Sequence, residues 1–372
     1  MRQFDPSIPW NDLPELPPAA DIESRDILKA CISAMTELSK ANALVKTLPN
    51  EAVLINTLPL QEARRSSEIE NIVTTNDELY RAMISDRNRI DSNTKEVLRY
   101  REALWEGNQH IQDGSTLDIQ LFEQICSRIL DEKMKVRSGP VVIENRATQQ
   151  LIYRPPTGYG NLIKLLTNLE RFINDKTDGL EPLVKMAVMH YQFEAIHPLM
   201  LMDGNGRTGR ILNILYLVHQ RLLDVPILYL SRFLIQNRNA YYQYLREVTE
   251  NGSWQQWILY ILEAVEQTSR DTAEKIEAID RLINNVITTA RDKTKAVERE
   301  GFVDLLFKWP YCKISIVEEE LRCSRLTATK YLNEVTALGL LERLRFGREY
   351  YYINKNLIDL LSTDTAEESL PR

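Results

Sequence analysis

His197-Pro198-Leu199-Met200-Leu201-Met202-Asp203-Gly204-Asn205-Gly206-Arg207-Thr208-Gly209-Arg210 lies between two apolar patterns of helical spacing. Leu183, Met186, Ala187, His190 and Phe193 lead into it, and Ile211, Leu212, Ile214, Leu215, Leu217 and Val218 follow it. That periodicity predicts a loop joining two buried helices. Gly204-Asn205-Gly206 opens the second helix. Two glycines let the backbone close on a ligand, and Asn tolerates positive φ. The free N–H groups of a helix start, aided by the dipole, favour an anion there. Arg207 and Arg210, one turn apart, add planar forks that suit phosphate oxygens. Asp203 offers the hard oxygen that Mg²⁺ prefers, with phosphates completing the shell. His197 brings an imidazole that can take a proton near neutral pH. Each residue alone has an ordinary reading: a turn, solvated arginines, a helix end before proline. Their coincidence in one loop reads as a nucleotide-phosphate site.

At this point the segment resembles the signature of the Fic-domain family, H-P-F-x-[DE]-G-N-G-R with a second Arg three residues on. The flanks Phe193-Glu194-Ala195-Ile196 and Ile211-Leu212-Asn213 are similar too. The resemblance implies a mostly helical fold and transfer of AMP from ATP to a Ser, Thr or Tyr hydroxyl of a protein target or of the chain itself. It implies His197 as general base and Asp203 as the ligand of Mg²⁺ on the α- and β-phosphates. Gly204, Asn205 and Gly206 would cradle phosphate, with Arg207 on the β-phosphate and Arg210 on the γ-phosphate. The chain departs from the signature in two ways. Four residues separate Pro198 from Asp203 where the family has two, and Leu199 replaces the aromatic. The extra residues either bulge outward and leave both loop ends in place, or displace His197.

Ser66-Ser67-Glu68-Ile69-Glu70-Asn71 resembles the family's inhibitory motif, [ST]-x-x-x-E-[GN]. The resemblance implies that Ser66, Glu70 and Asn71 form an inhibitory element N-terminal to the loop, with Glu70 paired to Arg210. A carboxylate there removes a γ-phosphate ligand and puts negative charge in the phosphate's place. ATP then sits with its α-phosphate misaligned for in-line attack. Between the two motifs, Val141-Val142-Ile143 and Gln150-Leu151-Ile152-Tyr153 read as two short strands, hence a hairpin. In Fic proteins such a hairpin is a flap, so Leu151, Ile152 and Tyr153 would hold a target segment as an added strand.

With 372 residues the chain exceeds one ordinary domain. A formal net charge of −7 argues against a general nucleic-acid-coating protein. Cys31, Cys126, Cys312 and Cys323 lack Cys-x-x-Cys spacing, which predicts a reducing cytoplasm and no zinc site. No apolar signal core opens the chain, no run reaches membrane-span length, and no Walker-type Gly-Lys-Ser/Thr loop is present. The expected layout is an N-terminal arm and helical region with the inhibitory motif over 1–110, then a catalytic core over 111–250. A helical connector over 251–298 and a winged helix-turn-helix with tail over 299–372 complete it. The connector's stripe of Ile276, Ile279, Ile283, Val286 and Ile287 suits core packing, a bridge to the last module or a homodimer contact.

In the last module, helices are read at Val303–Phe307, Val317–Leu321 and from Arg325, with Ser324 as cap. Strands follow at Leu340–Leu344 and Tyr350–Ile353, and the series resembles a winged helix-turn-helix. Residues 322–348 hold six basic and two acidic side chains, so Arg325, Thr327, Thr329, Lys330, Arg345 and Arg348 are candidate DNA contacts. Protein contact or dimerisation is the competing use of such a module. Two other functions fit the same residues: removal of AMP with Glu70 orienting water, and a non-catalytic, ATP-sensing DNA-binding regulator.

Overall fold

The computed structural model describes residues 4–84, 90–145, 148–199, 204–346 and 349–362. The fold is mostly α. An extended arm leads to α1 (Arg25–Val45), α2 (Ala52–Ile69), α3 (Asn76–Met83), α4 (Ser92–Gln112) and α5 (Ile119–Leu130). A capping box starts α3, with Thr75 accepting from the Glu78 N–H and Glu78 bonding back to Thr75. Asp91 and Asp118 cap α4 and α5, their side chains accepting from the Thr94 and Leu121 N–H groups.

The expected hairpin is present as β1 (Ile143–Glu144) and β2 (Leu151–Tyr153), antiparallel with Ile143 opposite Tyr153. Next come α6 (Tyr159–Asn174), α7 (Pro182–Ile196), α8 (Asn205–His219), α9 (Leu230–Gln236), α10 (Arg238–Asn251) and α11 (Trp254–Ala290). α7 and α8 are the buried pair that the periodicity predicts. Their side chains are buried on nearly all sides, as expected of helices at the centre of a core. Gly209 lets them approach closely: an added Cβ would lie 2.8 Å from Glu194 Oε1 and 3.2 Å from Phe193.

α11 packs along α1 and also against α7 and α9. Ile276, Ile279, Ile283 and Val286 are buried within the chain, beneath α1 and the C-terminal module. That stripe therefore serves core packing, and no homodimer contact follows from it.

The C-terminal module contains α12 (Phe302–Lys308), β3 (Tyr311–Cys312), α13 (Ile314–Leu321), α14 (Arg325–Ala337), β4 (Glu342–Phe346), β5 (Glu349–Ile353) and α15 (Lys355–Ser362). Its sheet has the order β3-β5-β4, all antiparallel. Ser324 accepts from the Thr327 N–H and caps α14 as expected. Helix, strand, two helices and hairpin follow the order expected of a winged helix-turn-helix. No helix among the described residues is long and apolar enough to cross a membrane.

Candidate active site

The site forms where α7 ends and α8 begins. His197 is the C-cap of α7, with φ 48°. A residue with a Cβ pays a conformational penalty in this left-handed region, and its surroundings hold it there. They do so through Arg137, whose own N–H donates to Pro198 O at 2.9 Å. Arg137 Nε donates to His197 O at 2.7 Å, and Nη2 donates to Ile196 O at 3.0 Å and Pro156 O at 2.7 Å. The last carbonyls of α7 thus receive a cation. Burial, together with the Arg137 charge, pushes His197 down to about 4, with Glu70 opposing. The imidazole is neutral at pH 7 and able to accept a proton.

The far side of the loop is equally fixed. Gly204 is the N-cap of α8 with φ 95°, and a Cβ there would lie 2.8 Å from Cys126 Sγ. Only glycine meets both demands. Asn205 Oδ1 accepts from the Leu199 N–H at 2.9 Å, and its Nδ2 donates to Leu199 O at 3.4 Å. Its side chain therefore clasps the two sides of the loop, which leaves the anion role to the backbone N–H groups of the helix start. Leu199 also bridges to Val136. Residues 200–203, and with them Asp203, lie outside the described residues. No cluster of three His, Cys, Asp or Glu side chains capable of holding a metal occurs among the described residues. A single carboxylate completed by substrate phosphates is a common Mg²⁺ arrangement, so the donor set suits that ion.

Both arginines are buried and both meet acids from the N-terminal helices. Arg210 Nη2 donates to Glu70 Oε1 at 2.8 Å, its Nε to Ser66 Oγ at 2.8 Å, and its Nη2 to Ser66 O at 3.0 Å. Burial is the largest influence and disfavours the Arg210 charge, but Glu70, with Tyr241, Glu194 and Tyr100 added, together outweighs it and raises the group above its ordinary pKa. Glu70 follows the last turn of α2, and Asn71 turns the chain away at φ 64°. That conformation accounts for Asn or Gly at this motif position. The Glu70 carboxylate hangs over the start of α8: a Cβ on Gly206 would lie 2.7 Å from Glu70 Oε1. A negative group therefore already occupies the anion-seeking end of this helix.

Apart from Glu194, which lies in the flank resembling the family, several residues at the site carry no signal in the sequence alone. Arg207 pairs with Glu96 of α4, which reads as an ordinary surface acid. Glu62, fully buried one turn before Ser66 on α2, accepts from the Ser231 N–H at 2.8 Å and from Tyr100 Oη at 3.2 Å. Burial raises its pKa, opposed chiefly by the Ser231 bonds. Glu194 lies near Arg210, and burial pushes it up to about 7. Burial of its hydroxyl, then the Glu70 charge, raises the pKa of Tyr242 on α10, with Arg210 opposing, although the residue as a whole is 45% exposed. Arg137 itself lies sixty residues before His197 and has no local motif.

On the β1–β2 hairpin, Tyr153 turns inward. Its hydroxyl donates to Ala195 O at 2.9 Å, and its ring stacks on Phe4 at 6.4 Å. Its side chain is thus spent on the core, while Leu151 and Ile152 remain half-buried on the hairpin. Trp10 N–H donates to Arg154 O at 2.9 Å, so the arm runs beside the base of β2.

In the C-terminal module, Arg325 lies 3.4 Å from Glu318 and Lys330 lies 3.8 Å from Glu334. Thr327 bonds Ser324, and Thr329 donates to Arg325 O. The Arg343 and Arg345 guanidinium carbons lie 3.9 and 5.8 Å from the centre of the Tyr350 ring. Arg348 lies outside the described residues.

The Fic/DOC family model matches residues 116–217, which contain the loop, and the Fic/DOC N-terminal model matches 28–109. A third model, the C-terminal domain of SoFic-like protein adenylyltransferases, matches 282–357. The chain belongs to the Fic/DOC family. It is 26% identical over 241 residues to a protein adenylyltransferase Fic of Drosophila grimshawi, covering 63% of this chain and 46% of that one. It is 29% identical over 204 residues to a probable protein adenylyltransferase of Aquifex aeolicus, covering 53% and 57%. The chain thus spans about half the length of these curated relatives. A Fic family protein from Desulfovibrio desulfuricans superposes with TM-score 0.55 at 19% identity, covering 89% of this chain and 96% of that one. Fic-1 of C. elegans superposes with TM-score 0.52 at 18% identity, covering 68% and 74%.

Proposed function

We propose that the protein is a self-inhibited adenylyltransferase that moves AMP from ATP to a Ser, Thr or Tyr hydroxyl of a protein, itself included. The observation that carries this reading is the Glu70 carboxylate over the start of α8, bonded to Arg210 at 2.8 Å. A site that already accommodates an anion, with two buried arginines, suits a triphosphate tail. In the active arrangement Glu70 leaves Arg210, and the γ-phosphate takes its place. Arg207 meets the β-phosphate, and backbone N–H groups of Gly204, Asn205 and Gly206 face the phosphates. Mg²⁺, held by Asp203, would neutralise phosphate charge. His197 takes the proton from the target hydroxyl as its oxygen bonds to the α-phosphorus. The bond from that phosphorus to the β-phosphate oxygen breaks, and pyrophosphate leaves. The flap edge at Leu151 and Ile152 offers main-chain partners to the target segment.

The positions of the label test this reading. ATP labelled at the α-phosphate should mark protein, whereas ATP labelled at the γ-phosphate should leave it unmarked and release labelled pyrophosphate. Protein marked by the γ-label would mean phosphate transfer and end the proposal. DNA binding by the C-terminal module is a separate reading: Arg325 and Lys330 are exposed and make only surface ion pairs with Glu318 and Glu334. A fluorescence-anisotropy titration with duplex DNA at low salt tests it, absence of affinity ending it.

A further inference from the structure

We infer that Arg137 is a positioning residue for His197. Its guanidinium is buried and donates to four carbonyls, those of Gly139, Pro156, Ile196 and His197. It thereby joins three things: the end of α7, the base of the flap, and a histidine in a left-handed conformation. Satisfying four carbonyls from one planar group fixes the backbone from which the imidazole projects. The same charge faces His197 from the flap side, while Glu70 faces it from α2 with the opposite sign. Tyr153, the other titratable group beside Arg137, is buried and neutral. Geometry and charge thus both depend on this one side chain.

This inference rests on the adenylyltransferase reading, so its test uses the Glu70→Gly protein as reference. Arg137→Lys and Arg137→Gln are added to it, with folding checked by thermal unfolding and ATP affinity by calorimetry. Lysine keeps the charge but loses the fork. Its kcat should fall about 100-fold, the scale of a misplaced catalytic group, with the acid limb of the pH profile unmoved. Glutamine removes the charge as well, so His197 binds its proton more readily and the acid limb should move up by about one pH unit. ATP affinity should hold in both folded variants, since Arg137 lies off α8. Folded variants with the reference kcat and pH profile would overturn the inference. Failure of Glu70→Gly alone to label protein would instead overturn the underlying reading.

A separate set of contacts links the C-terminal module to the inhibitory helix. The Tyr311 hydroxyl donates to Asp77, its ring stacks on Tyr80 at 6.3 Å, and Arg81 lies 5.0 Å over Phe346. Asn76 donates to Ser362 Oγ at 2.7 Å. From α3 the path reaches α2: Gln61 Nε2 donates to Asn76 Oδ1 at 3.1 Å and to Tyr80 Oη at 3.0 Å. α12 packs directly on α2. The geometry points to the C-terminal module as the seat that keeps α2, and so Glu70, on Arg210. Tyr311→Phe and Arg81→Ala should each raise AMP transfer about fivefold, within the usual range of coupling between sites. In the Glu70→Gly protein, which has no latch to loosen, the same changes should have no effect. Equal effects in both backgrounds, or none in the protein with Glu70, would overturn this coupling.

Discussion

Replacing Glu70 with glycine should raise AMP transfer by about 10- to 100-fold, because a charge-assisted bond of about 1.5–3 kcal/mol no longer competes with the γ-phosphate for Arg210. The carboxylate now bonds Nη2 at 2.8 Å and fills the space over Gly206. Its removal frees both the cation and the anion site. The same change should lower thermal stability. Arg210 is 1% exposed, and losing its carboxylate leaves a buried charge less well paired. The loss should be only about 1–3 kcal/mol, since Arg210 keeps both bonds to Ser66. Activity and stability are therefore expected to move in opposite directions, which initial rates and thermal unfolding of one preparation can check. A hydrolase that removes AMP with Glu70 orienting water would respond the other way and lose its activity.

Replacing His197 with alanine in the Glu70→Gly protein should lower transfer by about 10²–10⁴-fold, the usual contribution of a positioned general base. The pH dependence follows from the site. His197 is pushed down to about 4, so it is neutral throughout the physiological range. Glu70 opposes that shift, so its loss lowers the group further, and the rate of the Glu70→Gly protein should hold down to about pH 5 and fall only below it, as the imidazole binds its proton. An ordinary exposed histidine would bring that fall near 6.5. ATP affinity should change little, because the arginines and the backbone N–H groups of α8 remain. A histidine that served only to end α7 would show neither the loss nor the acid limb.

The sequence was most informative where chemistry and periodicity coincide. Apolar spacing on both sides of 197–210 marked α7 and α8 as buried helices, and Gly204 at φ 95° shows why glycine stands at the junction. Ser66 and Glu70 were legible only through resemblance to the family's inhibitory motif; the one-turn spacing at the end of α2 explains how both come to meet Arg210. Asn71 was legible as part of a pattern, and its φ of 64° supplies the reason. What escaped was everything that depends on distant segments meeting. Glu96 and Arg137 are ordinary residues until the fold brings them to Arg207 and His197. Tyr153 was read as a flap contact because alternation in so short a strand does not say which side faces the core. The isoleucine stripe of α11 left three uses open, and only the covering by α1 and the C-terminal module separates them.

The most direct measurement is incorporation of label from α-³²P-ATP with Mg²⁺ into three proteins side by side: the unaltered chain, Glu70→Gly, and Glu70→Gly with His197→Ala. The account predicts weak labelling of the first, strong labelling of the second and none of the third. Equal labelling of all three, or its absence from Glu70→Gly both on itself and in a cell lysate, would contradict it.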